Sequence, residues 1–348
     1  MLIPPSHAMQ GLFCMTRATS EVAAGAGAGN SNAAPFDFSF VDLTAGSADL
    51  DAVDPSFSFL TELPDTKVLL FRGSCNGLVL LEHREEPRSA TLGYIVCNPT
   101  TKEWEAVPTC GSPTLLTYPY LAFDPAASSH FNLVQFQVEE DEEFISVHAY
   151  SSETGAWSDD LIDEQGEEEG QFPGWRQVSF YLGKPQPCPF VNGFLHMIVL
   201  DRDGIKVVAF DVQGKGRRMI PVPHQPDRMR HRQMCYFGES QGQLQYMTQE
   251  MLGVRQGEYR VSIWALQDFD AQEWVLKGTV NTHEIFGMGV RMGFKVVDIH
   301  QDRNVVFFTR PLEHNLVAYD MDREEVSTIA TFNDQKWLLS TARYVRCF

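Results

Sequence analysis

Three segments of this chain carry residue types at spacings that could do chemistry. Gly238-Glu239-Ser240-Gln241-Gly242 is formally a G-x-S-x-G nucleophile pattern, whose serine in an α/β-hydrolase must sit on a strained turn between a strand and a helix. Its flanks here are Met234–Phe237 and Gln243–Met247, where Leu244 and Tyr246 alternate with glutamines, so the segment reads as a hairpin. His224, His231 and Cys235 offer imidazole and thiolate donors suited to zinc, but at spacings that match no standard finger. Arg217, Arg218, Arg228, Arg230 and Arg232 surround them and would repel a cation. Gly287-Met288-Gly289-Val290-Arg291-Met292-Gly293 has one residue too many before its last glycine and leads into a strand, whereas a phosphate loop opens a helix. The chain is therefore expected to hold no catalytic residue, cofactor or metal of its own.

The elements around these segments are strands. Apolar residues at helical spacing are missing over any long stretch, whereas short runs rich in Val, Ile, Phe and Tyr recur between turn residues. One expected hairpin is His196–Leu200, a turn at Asp201-Arg202-Asp203-Gly204, then Ile205–Phe210; another is Phe294–His300, a turn over 301–304, then Val305–Thr309. The ends of such strands repeat as an apolar run, a polar turn and often a tryptophan. Cys97, Tyr150, Phe210, Leu266 and Tyr319 anchor these repeats at spacings of 53, 60, 56 and 53 residues, and one further step back reaches Val41 in Phe36–Leu43. Six units of about 55 residues predict an all-β, kelch-like β-propeller with six blades of four antiparallel strands. The whole of residues 1–348 is read as one such domain, with a flexible insert at Ala23–Asn32 and the ring closed by Trp337–Phe348 pairing with Gly11–Thr16.

Charge removes further classes of function. The 27 Lys and Arg against 46 Asp and Glu leave a net charge of −19, a field that repels phosphate backbones and anionic lipid. No nucleic acid and no membrane is expected as a partner. The seven cysteines are scattered without a C-x-x-C pair, and neither a secretory leader nor a bilayer-length apolar run is seen, so the chain is expected to be a cytoplasmic or nuclear monomer. The acidic runs Glu139–Glu143 and Asp163–Glu169 read as solvated loop tips.

Gly73-Ser74-Cys75-Asn76-Gly77 before the apolar run Leu78–Leu81, then Cys97-Asn98-Pro99-Thr100 leading to Trp104 and Pro108, resembles the signature of plant F-box-associated domains. Blade-like endings at Val207–Asp211 and Leu316–Asp320 extend the resemblance over most of residues 60–332. On the residues alone, Asn76-Gly77 is a turn opening a strand, Asn98-Pro99 breaks the next strand, and Trp104 is large enough to wedge between blades. The resemblance implies a non-catalytic propeller that recognises a protein substrate for an SCF-type ubiquitin ligase, tethered to a SKP1-like adaptor through an F-box. No F-box is found in this sequence, and Met1–Phe13 looks like the linker and first strand that follow one.

Candidate protein-binding residues lie outside the repeat. Trp175 and Arg176, in Gln171–Arg176, have the chemistry of exposed interface anchors, and Arg228, Arg230 and Arg232 form a basic stretch suited to an acidic segment. Trp104, Trp157 and Trp274 recur at blade turns and are read as packing. Two other functional classes stay open: a stand-alone adaptor or competitor without SKP1 binding, and a propeller hydrolase using Ser240.

Overall fold

The computed structural model describes residues 8–18, 36–44, 53–60, 68–86, 89–112, 116–138, 144–158, 174–180, 187–223, 232–253, 258–287, 294–310, 314–333 and 336–347. Strands β1 (Met9–Ala18) and β2 (Phe36–Asp42) come first, and five complete sheets follow them. Blade 1 is β3 (Val68–Cys75), β4 (Leu78–Arg84), β5 (Thr91–Cys97) and β6 (Trp104–Pro108). Blade 2 is β7 (Leu116–Ala122), β8 (Asn132–Val138), β9 (Phe144–Ser151) and β10 (Ala156–Trp157). In blade 3 the short strands β11 (Ser179–Phe180) and β12 (Phe190–Val191) both pair with β13 (Phe194–Asp201), which continues to β14 (Gly204–Phe210) and β15 (Gly216–Pro221). Blade 4 is β16 (Arg232–Ser240), β17 (Gln243–Gly253), β18 (Glu258–Asp268) and β19 (Glu273–Asn281). After the short helix α1 (Thr282–Phe286), blade 5 is β20 (Lys295–Ile299), β21 (Val305–Thr309), β22 (Asn315–Asp320) and β23 (Glu325–Thr331). The last strand, β24 (Lys336–Val345), pairs antiparallel with β1, which pairs with β2, so both chain ends build the sixth sheet. This is a six-bladed β-propeller, as the repeat predicts. The closing sheet has three strands among the described residues, and a 3-10 turn at Ser58–Leu60 leads toward blade 1.

Local turn chemistry explains why the sequence repeats. In blades 1, 3 and 4 the first hairpin closes through two left-handed residues, Asn76-Gly77 (φ 46° and 95°), Asn192-Gly193 (52° and 81°) and Gln241-Gly242 (54° and 72°). Such turns match the right-handed twist of the flanking strands, and glycine enters positive φ without a Cβ clash. The third strands end in a second recurring device. Asn98, Asp211, Asp268 and Asp320 each accept, on Oδ1, the backbone N–H two residues on, at 2.9, 3.0, 2.8 and 3.0 Å. These Asx turns fold the chain back into the outer strand.

The core lies between blades. A four-stranded sheet has two apolar faces, and neighbouring residues on one strand serve opposite neighbours. In β4, Val79 and Leu81 pack toward the closing blade with Phe13 and Tyr344, whereas Leu80 packs toward blade 2 with Leu133. In β21, Val306 and Phe308 face blade 4, and Val305 and Phe307 face the closing blade. The tryptophans fit this frame as wedges. Trp104 packs into the cluster shared by blade 1 and the closing blade, and the indoles of Trp157 and Trp274 donate to the carbonyls of Pro108 and Pro221 in the preceding blades, both at 2.9 Å. No helix among the described residues is long and apolar enough to cross a membrane.

The central channel as candidate functional site

Each complete blade alternates direction strand by strand, so a four-stranded blade returns the chain to the end at which it began. The innermost strands therefore all start at one end of the ring, here called the entry mouth. β24 packs beside β3 and β20, β3 beside β7, and β16 beside β20, and together these edges enclose a cavity of about 690 Å³. Ordinary strand residues alternate toward neighbouring blades and leave little side chain for the axis. Bulges break that alternation, because the extra residue falls out of register. Arg72, Cys235, Val297 and Leu339 are the extra residues in β3, β16, β20 and β24, and all four line the channel.

Deep in the channel, Arg343 of β24 ties four blades together. Its Nη2 donates to Asp298 Oδ1 in β20 at 2.8 Å, and its Nη1 donates to Glu239 Oε2 in β16 at 2.9 Å. Tyr236 donates its hydroxyl to Asp298 Oδ1 at 2.7 Å, and the Arg343 backbone N–H donates to Ser74 Oγ in β3 at 2.8 Å. Burial opposes the charge of Arg343, but Asp298, Tyr236 and Glu239 outweigh it and hold the guanidinium protonated well above the usual range. Burial pushes the Glu239 carboxyl up, with Arg343 opposing, and pushes the Tyr236 phenol well up. Removing one partner from such a cluster leaves a buried charge uncompensated. Nearer the entry mouth, Arg72 pairs with Glu82, which also accepts from Arg84 Nε at 2.5 Å and from the Thr91 hydroxyl. Burial raises the Glu82 pKa, but these partners overcome it and bring the carboxyl below its usual range.

The motif residues Gly73–Gly77 line the channel as well, and with Asn98 and Thr100 they tie blades together at the far end of the ring. The side-chain amide of Asn76 donates to the Phe123 carbonyl at 2.7 Å, joining blade 1 to blade 2. Gly77 lies so close to the last strand that a Cβ there would stand 2.5 Å from the Cys347 Cβ. Asn98 donates to the Cys347 carbonyl at 2.8 Å, and the hydroxyls of Thr100 and Tyr344 lie 3.3 Å apart. The signature thus brackets the chain's last residues. A family model described as F-box protein At3g26010-like, beta-propeller, matches residues 49–344 of the chain.

The chain belongs to the F-box protein At3g26010-like beta-propeller family. No curated protein sequence matches it. Among solved structures, the chain is similar to one in a nidogen/laminin complex, with TM-score 0.46 and 12% identity over 97% of this chain and 100% of that one. It is also similar to an oligogalacturonate lyase of Vibrio parahaemolyticus (TM-score 0.41, 8% identity, 72% of this chain and 62% of that). A chain from a study of two prolyl endopeptidases resembles it as well (TM-score 0.39, 11% identity, 89% and 42%). Nothing about activity follows from these distant likenesses.

In this At3g26010-like propeller, several candidate residues take roles other than those expected of them. Trp175 is fully buried, with its ring 4.6 Å from Phe136 and 5.3 Å from Phe210, and its Nε1 donates to the Gly214 carbonyl at 3.0 Å. It plugs the interface of blades 2 and 3 and offers no exposed anchor. Arg232 opens β16 opposite Glu250 and bridges it at 3.2 Å, so its charge is taken up across the strand pair. Arg228, Arg230, His224, His231, the acidic runs 139–143 and 163–169, and the insert 23–32 lie outside the described residues, and only the backbone of Arg176 lies inside them. Ser240 ends β16, and its hydroxyl donates to the His300 carbonyl at 2.7 Å; Gln241-Gly242 is the same turn as Asn76-Gly77. All seven cysteines are free thiols, and burial pushes Cys75 up to about 12. The four channel bulges and Arg343 have no local sequence signal, because a bulge shows only against its paired strand.

Proposed function

We propose that this chain is a non-catalytic protein-recognition propeller that presents a bound protein to an SCF-type ubiquitin ligase as its receptor subunit. The family match over residues 49–344 carries this reading, since the matched family is the propeller of F-box proteins. The geometry agrees with it: the Ser240 hydroxyl is spent on a backbone carbonyl, and the half-buried channel thiol Cys75 is held far from its reactive thiolate form. In this mechanism the propeller holds its target and effective concentration brings ubiquitin to the target's lysines, in the cytoplasm or nucleus.

Co-elution of the purified chain with a SKP1-like adaptor on size exclusion, with a known F-box protein as positive control, tests the ligase link. Cycloheximide chase of proteins captured by the chain separates the outcomes. Shortened lifetimes on overexpression support the receptor, and lengthened lifetimes favour a competitor that shields the same targets.

A further inference from the structure

The channel holds hydrogen-bond donors that the packing leaves without acceptors. Tyr120 of β7 is 8% exposed, and its hydroxyl has no hydrogen-bond partner. Burial pushes the pKa of this phenol well above its usual value, so the oxygen keeps a proton to donate. Cys188, Tyr118 and Arg72 also act on it electrostatically, and all three line the channel, so the hydroxyl stands at the channel wall. Two blades round the ring, in β24, the Ser340 hydroxyl lines the same cavity and is buried without a partner. Lys295, at the start of β20, donates to the Leu339 carbonyl at 3.1 Å and keeps its other N–H groups unspent among the described residues. A buried hydroxyl left unpaired is costly, and an acceptor brought by a ligand recovers that cost.

Size, walls and charge define what such a ligand is. A cavity of about 690 Å³ is large enough to enclose a small organic molecule. Tyr118, Pro119, Pro189, Phe190 and Val297 give it apolar wall. Its guanidinium groups are already matched within the chain, Arg343 by Asp298 and Glu239 and Arg72 by Glu82. The net charge of −19 opposes the entry of an anion. The ammonium of Lys295, which shares the cavity with the unpaired hydroxyls, opposes a cation beside them. An uncharged molecule with an oxygen acceptor meets neither obstacle.

We propose that the channel binds an uncharged small molecule, an apolar ring system bearing a carbonyl, whose oxygen accepts from the Tyr120 hydroxyl while the rings pack against Tyr118 and Phe190. Ser340 and Lys295 are further donors for a second oxygen. The site goes beyond the protein-recognition reading above, because it lies inside the ring and needs no protein partner.

The test is titration of the full chain with naphthyl methyl ketone, followed by saturation-transfer NMR and calorimetry. Naphthoate and naphthylmethylamine carry the same rings with an anionic or a cationic head. The ketone should bind saturably, and the acid and the amine at least about tenfold more weakly. Tyr120→Phe removes an unpaired hydroxyl, so it should melt at the wild-type temperature or above and yet bind the ketone about three- to tenfold more weakly, the factor for one lost hydrogen bond. A purely structural hydroxyl would not move the binding. Val297→Trp, at a bulge that turns into the channel, should fill the cavity and abolish binding with the ring still folded. No saturable binding of the ketone, equal binding of the acid or the amine, or unchanged binding to Tyr120→Phe would overturn the proposal. Should Tyr120→Phe fail to fold, Val297→Trp decides, and undiminished binding there would overturn it.

Discussion

The side-chain amide of Asn98 donates to the carbonyl of Cys347 at 2.8 Å, across 249 residues, while its oxygen accepts the Thr100 N–H at 2.9 Å. The equivalent turn residues in blades 3, 4 and 5 are the aspartates Asp211, Asp268 and Asp320, which can close the turn but cannot donate. Only an amide does both tasks, and blade 1 is the blade whose third-strand turn meets the Cys347 carbonyl. Asn98→Asp is therefore expected to keep the turn, lose the bond to Cys347 and set a carboxylate against a carbonyl. A loss of about 1–3 kcal/mol in urea unfolding is expected, with Asn98→Ala similar; wild-type stability in Asn98→Asp would show that this contact does not hold the closure.

Ring closure gives a second prediction. Deleting 337–348 removes most of β24, leaves the edge of β1 unpaired and takes Arg343 from Asp298 and Glu239. The shortened chain should aggregate or melt at a clearly lower temperature by differential scanning fluorimetry. Gly77→Ala should act more mildly in the same direction, since φ of 95° and the Cys347 side chain both reject a Cβ. An unchanged melting curve for the deletion would refute closure by this strand.

Trp175 and Arg232 separate packing from recognition. Trp175→Ala empties the centre of the cluster between blades 2 and 3 and should cost about 3–5 kcal/mol. Arg232→Ala breaks a cross-strand pair near the surface and should cost within about 1 kcal/mol. Equilibrium unfolding of both variants checks the contrast, and a stable Trp175→Ala would place that ring outside the core.

Acid should destabilise the fold through two buried imidazoles. Burial lowers the pKa of His196 to about 4, and burial with the charges of Arg303 and Arg343 lowers His300 to about 3. Above the unfolded value of about 6.5 both states are neutral and nothing is lost. Below it the unfolded chain binds protons that the folded chain refuses, so stability falls as pH drops from about 6.5 toward 4, by roughly 3 kcal/mol for His196. His196 packs edge-on against Phe269 at 5.7 Å, so His196→Phe should flatten that part of the profile. Melting curves between pH 7.5 and 4.5 read this directly, and an unchanged slope in the variant would count against it.

Much of the architecture was legible because the devices that build a blade are local. Asn76-Gly77, the Asx turns at Asp211 and Asp320, and the wedges Trp157 and Trp274 recur with the period because each shapes its own turn or reaches one blade back. The hairpin around Ser240 was readable for the same reason, since its alternating flanks already describe two paired strands. Trp175 misled because it lies between repeats, and chain position alone does not show that Phe136 and Phe210 close over it.

The sequence by itself determined the blade, its turns and their number, because those depend on neighbours along the chain. Tertiary structure alone decided the channel. Arg343, Asp298, Glu239 and Ser74 meet from four blades, and Arg72, Cys235, Val297 and Leu339 turn inward only where paired strands fall out of register. Such contacts exist only once β24 has paired with β1 and the ring is shut, and no stretch of sequence encodes a distance that ring closure sets.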